Sequence, residues 1–363
     1  MKLGLNDYRN ITLGCATVAE EMGKIRFHRF TEQEELFYKL RDEAFGRSFR
    51  YRCSAPAGVR LCFETNSKDL KITVVTGYAT SRSYFSFDVF ENGSLLGYLD
   101  NFKDENLLEN YTEQEFILGK YEKRFILSEG RSKITIYFPW SVVVDDIEIE
   151  LDDGAEIEPI KPKKKLLVYG DSITQGYDAT RPSHRYAARI ANFLGAEEIN
   201  KAIGGEIFVH KLVQDKLDFD PDYIIVAYGT NDWSTTEGKD FHQNVRSFFT
   251  SLCQHYPSTP VFAITPIWRA NYEEFKPFGD FFSVENIIRE ATFDLGNIHV
   301  ISGFDLVGHD KKLFADLRLH PRDAGFHEYY ENLSKRIGEW ISCQSEKNHF
   351  ASVAEDTFKS REY

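Results

Sequence analysis

Gly170-Asp171-Ser172-Ile173-Thr174-Gln175-Gly176 follows directly on the apolar run Leu166-Leu167-Val168-Tyr169. Its serine is the residue in this chain best placed for chemistry. A short hydrophobic strand ending in Gly-Asp-Ser puts a hydroxyl at the carboxyl edge of a sheet, where open α/β folds bind and transform ligands. Such a serine becomes a nucleophile only if a base takes its proton and fixed donors await the oxyanion. The same Gly/Ser/Thr-rich turn could instead be a turn and nothing more, or could cradle a phosphate on its N–H groups.

The elements that must position this serine show in the period of the apolar residues. Up to about residue 160 they alternate: Val59, Leu61, Phe63; Leu70, Ile72, Val74; Phe85, Phe87, Val89; Ile134, Ile136, Phe138; Ile147, Ile149, Leu151. Period two means strands with one buried face, and their close spacing predicts an antiparallel sandwich, all-β and jelly-roll-like, over residues 1–160. Asn66 to Asp69 and Glu91 to Ser94 carry the turn chemistry to link neighbouring strands. Thr31 to Arg41 reads as a helix with a threonine cap. No catalytic cluster stands out in this half.

An acidic patch, two prolines and Lys163-Lys164-Lys165 then mark a linker. Beyond it strands alternate with helix-period segments. The strands are Leu166 to Tyr169, Glu198 to Ala202, Tyr223 to Tyr228, Val261 to Thr265 and Ile298 to Ile301. The helices are His184 to Leu194, a short one through Leu217, Phe241 to His255, Val284 to Phe293, and a last one capped by Asp323 that runs to about Trp340. Five βα units predict a flavodoxin-like, three-layer α/β domain with a five-stranded parallel sheet over 161–342, and 343–363 as a polar tail.

The segments after these strands all emerge at one edge of such a sheet. Ser172 comes after the first, Asn200-Lys201-Ala202-Ile203-Gly204-Gly205-Glu206 after the second, Gly229-Thr230-Asn231-Asp232 after the third. Asp316-Leu317-Arg318-Leu319-His320-Pro321 comes after the fifth, past a longer loop. Taken in that order, these blocks resemble the SGNH (GDSL-type) hydrolases over residues 166–340, and the layout with an upstream sandwich resembles carbohydrate acetyl esterases. The resemblance implies Ser172 as nucleophile and His320 as general base. It implies an oxyanion hole from Ser172 N–H, Gly205 N–H and the Asn231 amide, with Gly204 leaving the glycine register open by one. In the family the triad aspartate stands three residues before the histidine. Here that position is Leu317, and Asp316 stands four before. Asp316 orients the imidazole if the loop absorbs an extra residue; otherwise the site is a Ser-His dyad, with Asp305 and Asp310 as outlying candidates. The implied activity is ester hydrolysis without metal or cofactor, on a small-molecule or oligosaccharide ester. A lipid or thioester acyl hydrolase and a flavodoxin-like phosphate- or flavin-binding module are the rivals.

Other residues are weighed on their types. Asp171 and Asp232 hold their loops by accepting backbone N–H groups. Trp233 and Trp268 either line a substrate rim or pack. His184 belongs to a helix cap region, and the remaining histidines lack metal-ligand spacing. A net charge of −13 argues against nucleic acid as a partner, no apolar run is long enough for membrane insertion, and a homo-oligomer stays open. Five cysteines (Cys15, Cys53, Cys62, Cys253, Cys343) without motif spacing, and a start without an apolar h-region, predict a cytoplasmic protein unless a signal peptide precedes this start.

Overall fold

The computed structural model describes residues 1–46, 48–103, 107 and 109–359. The alternating segments of the first half form strands in two antiparallel sheets. One is ordered Thr12–Leu13, Arg60–Thr65, Ser132–Tyr137, Ser86–Glu91, Ser94–Asp100; the other is Val142–Leu151, Asp69–Ala79, Lys120–Ile126. Leu61, Phe63, Phe87, Val89 and Ile134 from the first meet Leu70, Ile72, Val74, Ile147 and Ile149 from the second in one core, which is what period-two burial demands. Asn92 and Gly93, both at positive φ, close the hairpin that pairs Glu91 with Ser94. The turn after Asn66 does different work from a hairpin: it passes the chain from one sheet to the other. Thr31 caps a helix Glu32–Phe45, its hydroxyl accepting from Glu34 N while the Glu34 carboxylate accepts from Thr31 N. A short helix Leu5–Ile11, a hairpin Thr17–Glu21/Lys24–His28 and a single turn of helix Phe49–Cys53 also lie in this half, and a short strand Ile157–Pro159 pairs with Arg60–Thr65.

The second half is a five-stranded parallel sheet in the order Ala196–Asn200, Lys164–Gly170, Tyr223–Ala227, Val261–Ile264, Ile298–Ile301. Alternate residues of each strand face opposite layers. Leu166 and Val168 pack with helices Tyr186–Leu194 and Asp323–Lys359, and Leu167 and Tyr169 pack with helices Gly238–His255 and Phe282–Thr292. The order places the Ser172 strand between the strands that lead to Gly205 and Asn231, so three loops converge at one edge. Three expectations are corrected. The segment through Leu217 holds only a 3₁₀ turn, His210–Val213. The last helix continues to Lys359 because no Gly or Pro interrupts it after Gly338. Asp323 is that helix's first residue and spends its carboxylate on Thr180 N and Oγ1 instead of capping. Among the described residues no helix is long and apolar enough to cross a membrane.

The halves are joined by buried cations. Arg29 is 2% exposed and donates to the carbonyls of Ala55, Arg52, Asn200 and Ala202 at 2.8 to 3.1 Å. Burial lowers its pKa to about 10, with no carboxylate to raise it, so it remains charged at neutral pH. Arg29→Met leaves these acceptors dry and should cost about 3 kcal/mol or more in urea unfolding. A loss below about 1 kcal/mol would show that water replaces the guanidinium.

Candidate active site

Ser172 opens a single turn of helix, Ser172–Gln175, at the end of the strand Lys164–Gly170. Asp171 caps that turn, its Oδ1 accepting from Ile173 N at 2.9 Å, as its loop-holding reading expects. Gly176 ends the turn at φ 114°, and a Cβ there would strike Arg185 Cδ at 2.0 Å. Both the conformation and the close approach therefore require glycine.

Ser172 Oγ lies 2.9 Å from His320 Nε2, and His320 Nδ1 lies 2.9 Å from Asp316 Oδ2. The other Asp316 oxygen accepts from the N–H groups of Arg318, Leu319 and His320 at 2.9, 2.7 and 3.1 Å. Burial pushes this carboxyl up, but the His320 hydrogen bond, its charge and the Leu319 and His320 N–H groups hold it well below the usual carboxylate range. Asp316 thus stays ionised wherever the imidazole works. The extra residue in the loop is absorbed by Leu317, which sits at φ 54° with its side chain exposed. Asp305 pairs with His309, and Asp310 caps a turn at Lys312 N, away from this line.

A second carboxylate adjoins His320, one that sequence reasoning missed. Asp178 Oδ2 lies 3.6 Å from Nδ1, beyond a hydrogen bond but close enough for its charge to be felt. Asp178 is fully buried at φ 71°, held by Arg82 Nε and Nη2 at 2.8 and 3.1 Å. No local pattern announces it, because Arg82 comes from the opposite half. The ligand atoms of Asp178, Asp316 and His320 lie within 4.8 Å of one another, but a cation there would compete with Arg82 for Asp178. His320 also packs on Tyr177, ring centres 5.6 Å apart, which in turn packs on Trp140.

Hydrogen bonding distinguishes the two glycines. Gly204 N donates to Gln175 Oε1 at 2.9 Å, so it is occupied. Gly205, at φ 82°, keeps its N–H free of any protein acceptor, as does Ser172 among the described residues. Asn231 Nδ2 donates to Glu206 O at 3.0 Å, which fixes the amide plane and leaves its second N–H available. The arrangement offers a hydroxyl, a base held in one tautomer, and unspent donors from three adjacent strand ends.

The tryptophans do not form a rim. Trp233 is fully buried, its indole N–H on Gly279 O at 3.0 Å and its ring against Phe281. Trp268 is 6% exposed, stacks on His309 and packs at a tilt against Phe314. Arg269 and Lys276 also lie over the Trp233 ring, at 5.0 and 5.4 Å, so both indoles are spent on partners within the fold and offer no face to a sugar. His184 contacts Asp323 at 3.2 Å, beside the helix start.

Asp232, next to Asn231, accepts from Phe208 N at 3.2 Å. Burial, helped by Glu206 and Asp171, raises its pKa from 3.8 to about 8, against the pull of that N–H. Burial likewise raises Asp171 to about 6. At these two carboxyls the folded state holds protons that the unfolded chain has released, so their contribution to stability should fall as pH rises from about 4 to about 8. Asp232→Asn should flatten the upper part of that slope in unfolding measured across the range. An unchanged slope would show Asp232 ionised in the fold.

Residues 168–327 match the family model described as GDSL-like lipase/acylhydrolase. No curated protein matches the chain. Among solved structures, a protein described as a GDSL-like lipase from Bacteroides ovatus ATCC 8483 aligns at TM-score 0.72 and 20% identity, over 94% of this chain and 98% of that one. The salicylyl-acyltransferase SsfX3 of a tetracycline biosynthetic pathway aligns at TM-score 0.74 and 16% identity, over 94% and 97%. A family two carbohydrate esterase from Clostridium thermocellum, solved with cellohexaose, aligns at TM-score 0.54 and 15% identity, over 80% and 96%. At these identities the likeness is one of fold, and in the first two it spans both halves.

Proposed function

We propose that this chain, which carries a GDSL-like lipase/acylhydrolase domain over residues 168–327, is a serine carboxylic ester hydrolase that removes short acyl groups, acetyl foremost, from carbohydrates. The observation that carries this reading is the unbroken line Asp316–His320–Ser172, with both contacts at 2.9 Å. His320 Nε2 takes the Ser172 proton as Oγ attacks the ester carbon, and the resulting oxyanion is met by the Ser172 and Gly205 N–H groups and the Asn231 amide. Collapse breaks the bond to the alcohol, which leaves with the proton from His320. Water, deprotonated by the same imidazole, then attacks the acyl-serine and releases the carboxylic acid.

The carbohydrate assignment is supported by the fold shared with the cellohexaose-bound esterase. The five cysteines are unpaired, which supports a reducing, cytoplasmic setting. The deciding measurement is an activity profile over 4-nitrophenyl acetate, butyrate and octanoate together with acetylated oligosaccharides. Acetate should exceed octanoate by about tenfold or more in kcat/KM, and acetyl should be released from the sugars. Preference for octanoate would move the assignment to lipid or thioester acyl groups.

A further inference from the structure

The Gly204–Gly205 peptide is held by a cation from the opposite half of the molecule. Arg52, on the helical turn Phe49–Cys53, donates from Nη1 to Gly204 O at 2.5 Å. The same nitrogen lies 3.0 Å from where a Gly205 Cβ would stand, so the guanidinium covers the glycine that the serine reading places in the oxyanion hole. Its Nε is buried without a partner, and no carboxylate of the described residues pairs with it, so its charge is not neutralised. Its own backbone is fixed: Arg29 Nη2 donates to Arg52 O at 3.1 Å, and Asp42 accepts from Phe49 N and Arg50 N, both at 2.8 Å.

We propose that Arg52 is a positioning residue of the oxyanion hole, polarising and orienting the Gly204–Gly205 peptide so that its N–H becomes a stronger donor. The inference rests on the reading that Ser172 performs acyl transfer. The carbonyl that Arg52 binds and the N–H that meets the oxyanion are two ends of one conjugated peptide group. A charged donor at the oxygen draws electron density from the nitrogen and strengthens the hydrogen bond made by its proton. Orientation is fixed at the same time. Gly204 N is spent on Gln175 and Gly204 O on Arg52, while Glu206 N is tied to Ile203 O at 3.0 Å. Gly205 N–H is left as the free donor of the loop. Because the oxyanion exists only after attack, the benefit falls on the transition state and not on the bound ester.

The test is steady-state kinetics on 4-nitrophenyl acetate with Arg52→Met and Arg52→Lys, thermal melting confirming the fold. Arg52→Met should lower kcat by about 10- to 50-fold, below the ~10²–10³ expected when a whole donor is lost, with KM within about twofold of the parent. Arg52→Lys should recover part of the loss. Phenylboronic acid, whose tetrahedral adduct on the serine mimics the oxyanion, should weaken by the same factor as kcat/KM. Arg52→Gln, which keeps a donor but removes the charge, carries the same expectation if the methionine variant does not fold. A kcat within about twofold of the parent, or a loss confined to KM as for a residue that reads an anionic substrate group, overturns the proposal. Ser172→Ala, measured alongside, separates the two claims. Activity kept in that variant overturns the serine reading and this inference with it. Activity lost there but kept in Arg52→Met overturns this inference alone.

Discussion

Ser172→Ala should lower kcat for 4-nitrophenyl acetate by about 10⁵-fold or more while leaving the melting temperature in place. The two halves of that expectation have separate grounds. Among the described residues the Ser172 hydroxyl makes one hydrogen bond, to His320 Nε2, so its removal leaves no other group unsatisfied. The turn is held without it, by Asp171 and by the bonds of Gly176 N and Tyr177 N to Ser172 O. Chemically the loss is total for the covalent route, because His320 then has no bound hydroxyl to activate. Residual turnover would come from the oxyanion donors acting on water. A binding module that used the loop to hold phosphate predicts no hydrolysis in the parent to begin with. Turnover unchanged by the substitution would place the nucleophile elsewhere.

The second large effect is expected at Asp316. Asp316→Asn preserves shape, but three N–H groups, of Arg318, Leu319 and His320, converge on one oxygen of this side chain. They fix which way an asparagine amide must face, its oxygen toward the backbone and its NH₂ toward His320 Nδ1. An NH₂ there donates to Nδ1 and forces the imidazole proton onto Nε2, pointing at Ser172. That tautomer cannot accept the serine proton, and kcat should fall about 10³- to 10⁴-fold. Asp178→Asn is the informative contrast. At 3.6 Å from Nδ1, with both oxygens on Arg82, Asp178 affects the imidazole through charge alone, and its loss should cost less than about tenfold. A loss under about threefold at Asp316, with a large one at Asp178, would reverse the two roles.

How far the sequence disclosed the site depended on whether a residue's neighbours lie nearby in the chain. Ser172, Gly205 and Asn231 come after apolar strands whose period is local, and a strand's end determines the edge at which the next residues emerge. Asp316 was harder. The spacing to His320 is one residue too long, and only the left-handed Leu317, a conformation that leucine seldom adopts, brings carboxylate and imidazole together. Asp178 was not legible, since its meaning depends on Arg82, nearly a hundred positions away. Arg52 was silent for the same reason. Trp233 and Trp268 show the converse: an aromatic beside a motif has the same letter whether it meets a sugar or Phe281. In the strand-rich half, alternation identified the buried faces of five strands, but not that the turn after Asn66 changes sheets.

Arg29 carries a consequence for how such a protein could be rebuilt or could have arisen. Its acceptors come from both sides of the linker, with Ala55 and Arg52 upstream and Asn200 and Ala202 at the foot of the Gly205 loop. A hydrolase severed near residue 160 would therefore forfeit the support beneath its own second loop. The upstream half is no interchangeable cassette: recombination that exchanged it would have to carry across the arginines at 29, 52 and 82 together. Where those guanidinium groups end makes the two halves one structural unit.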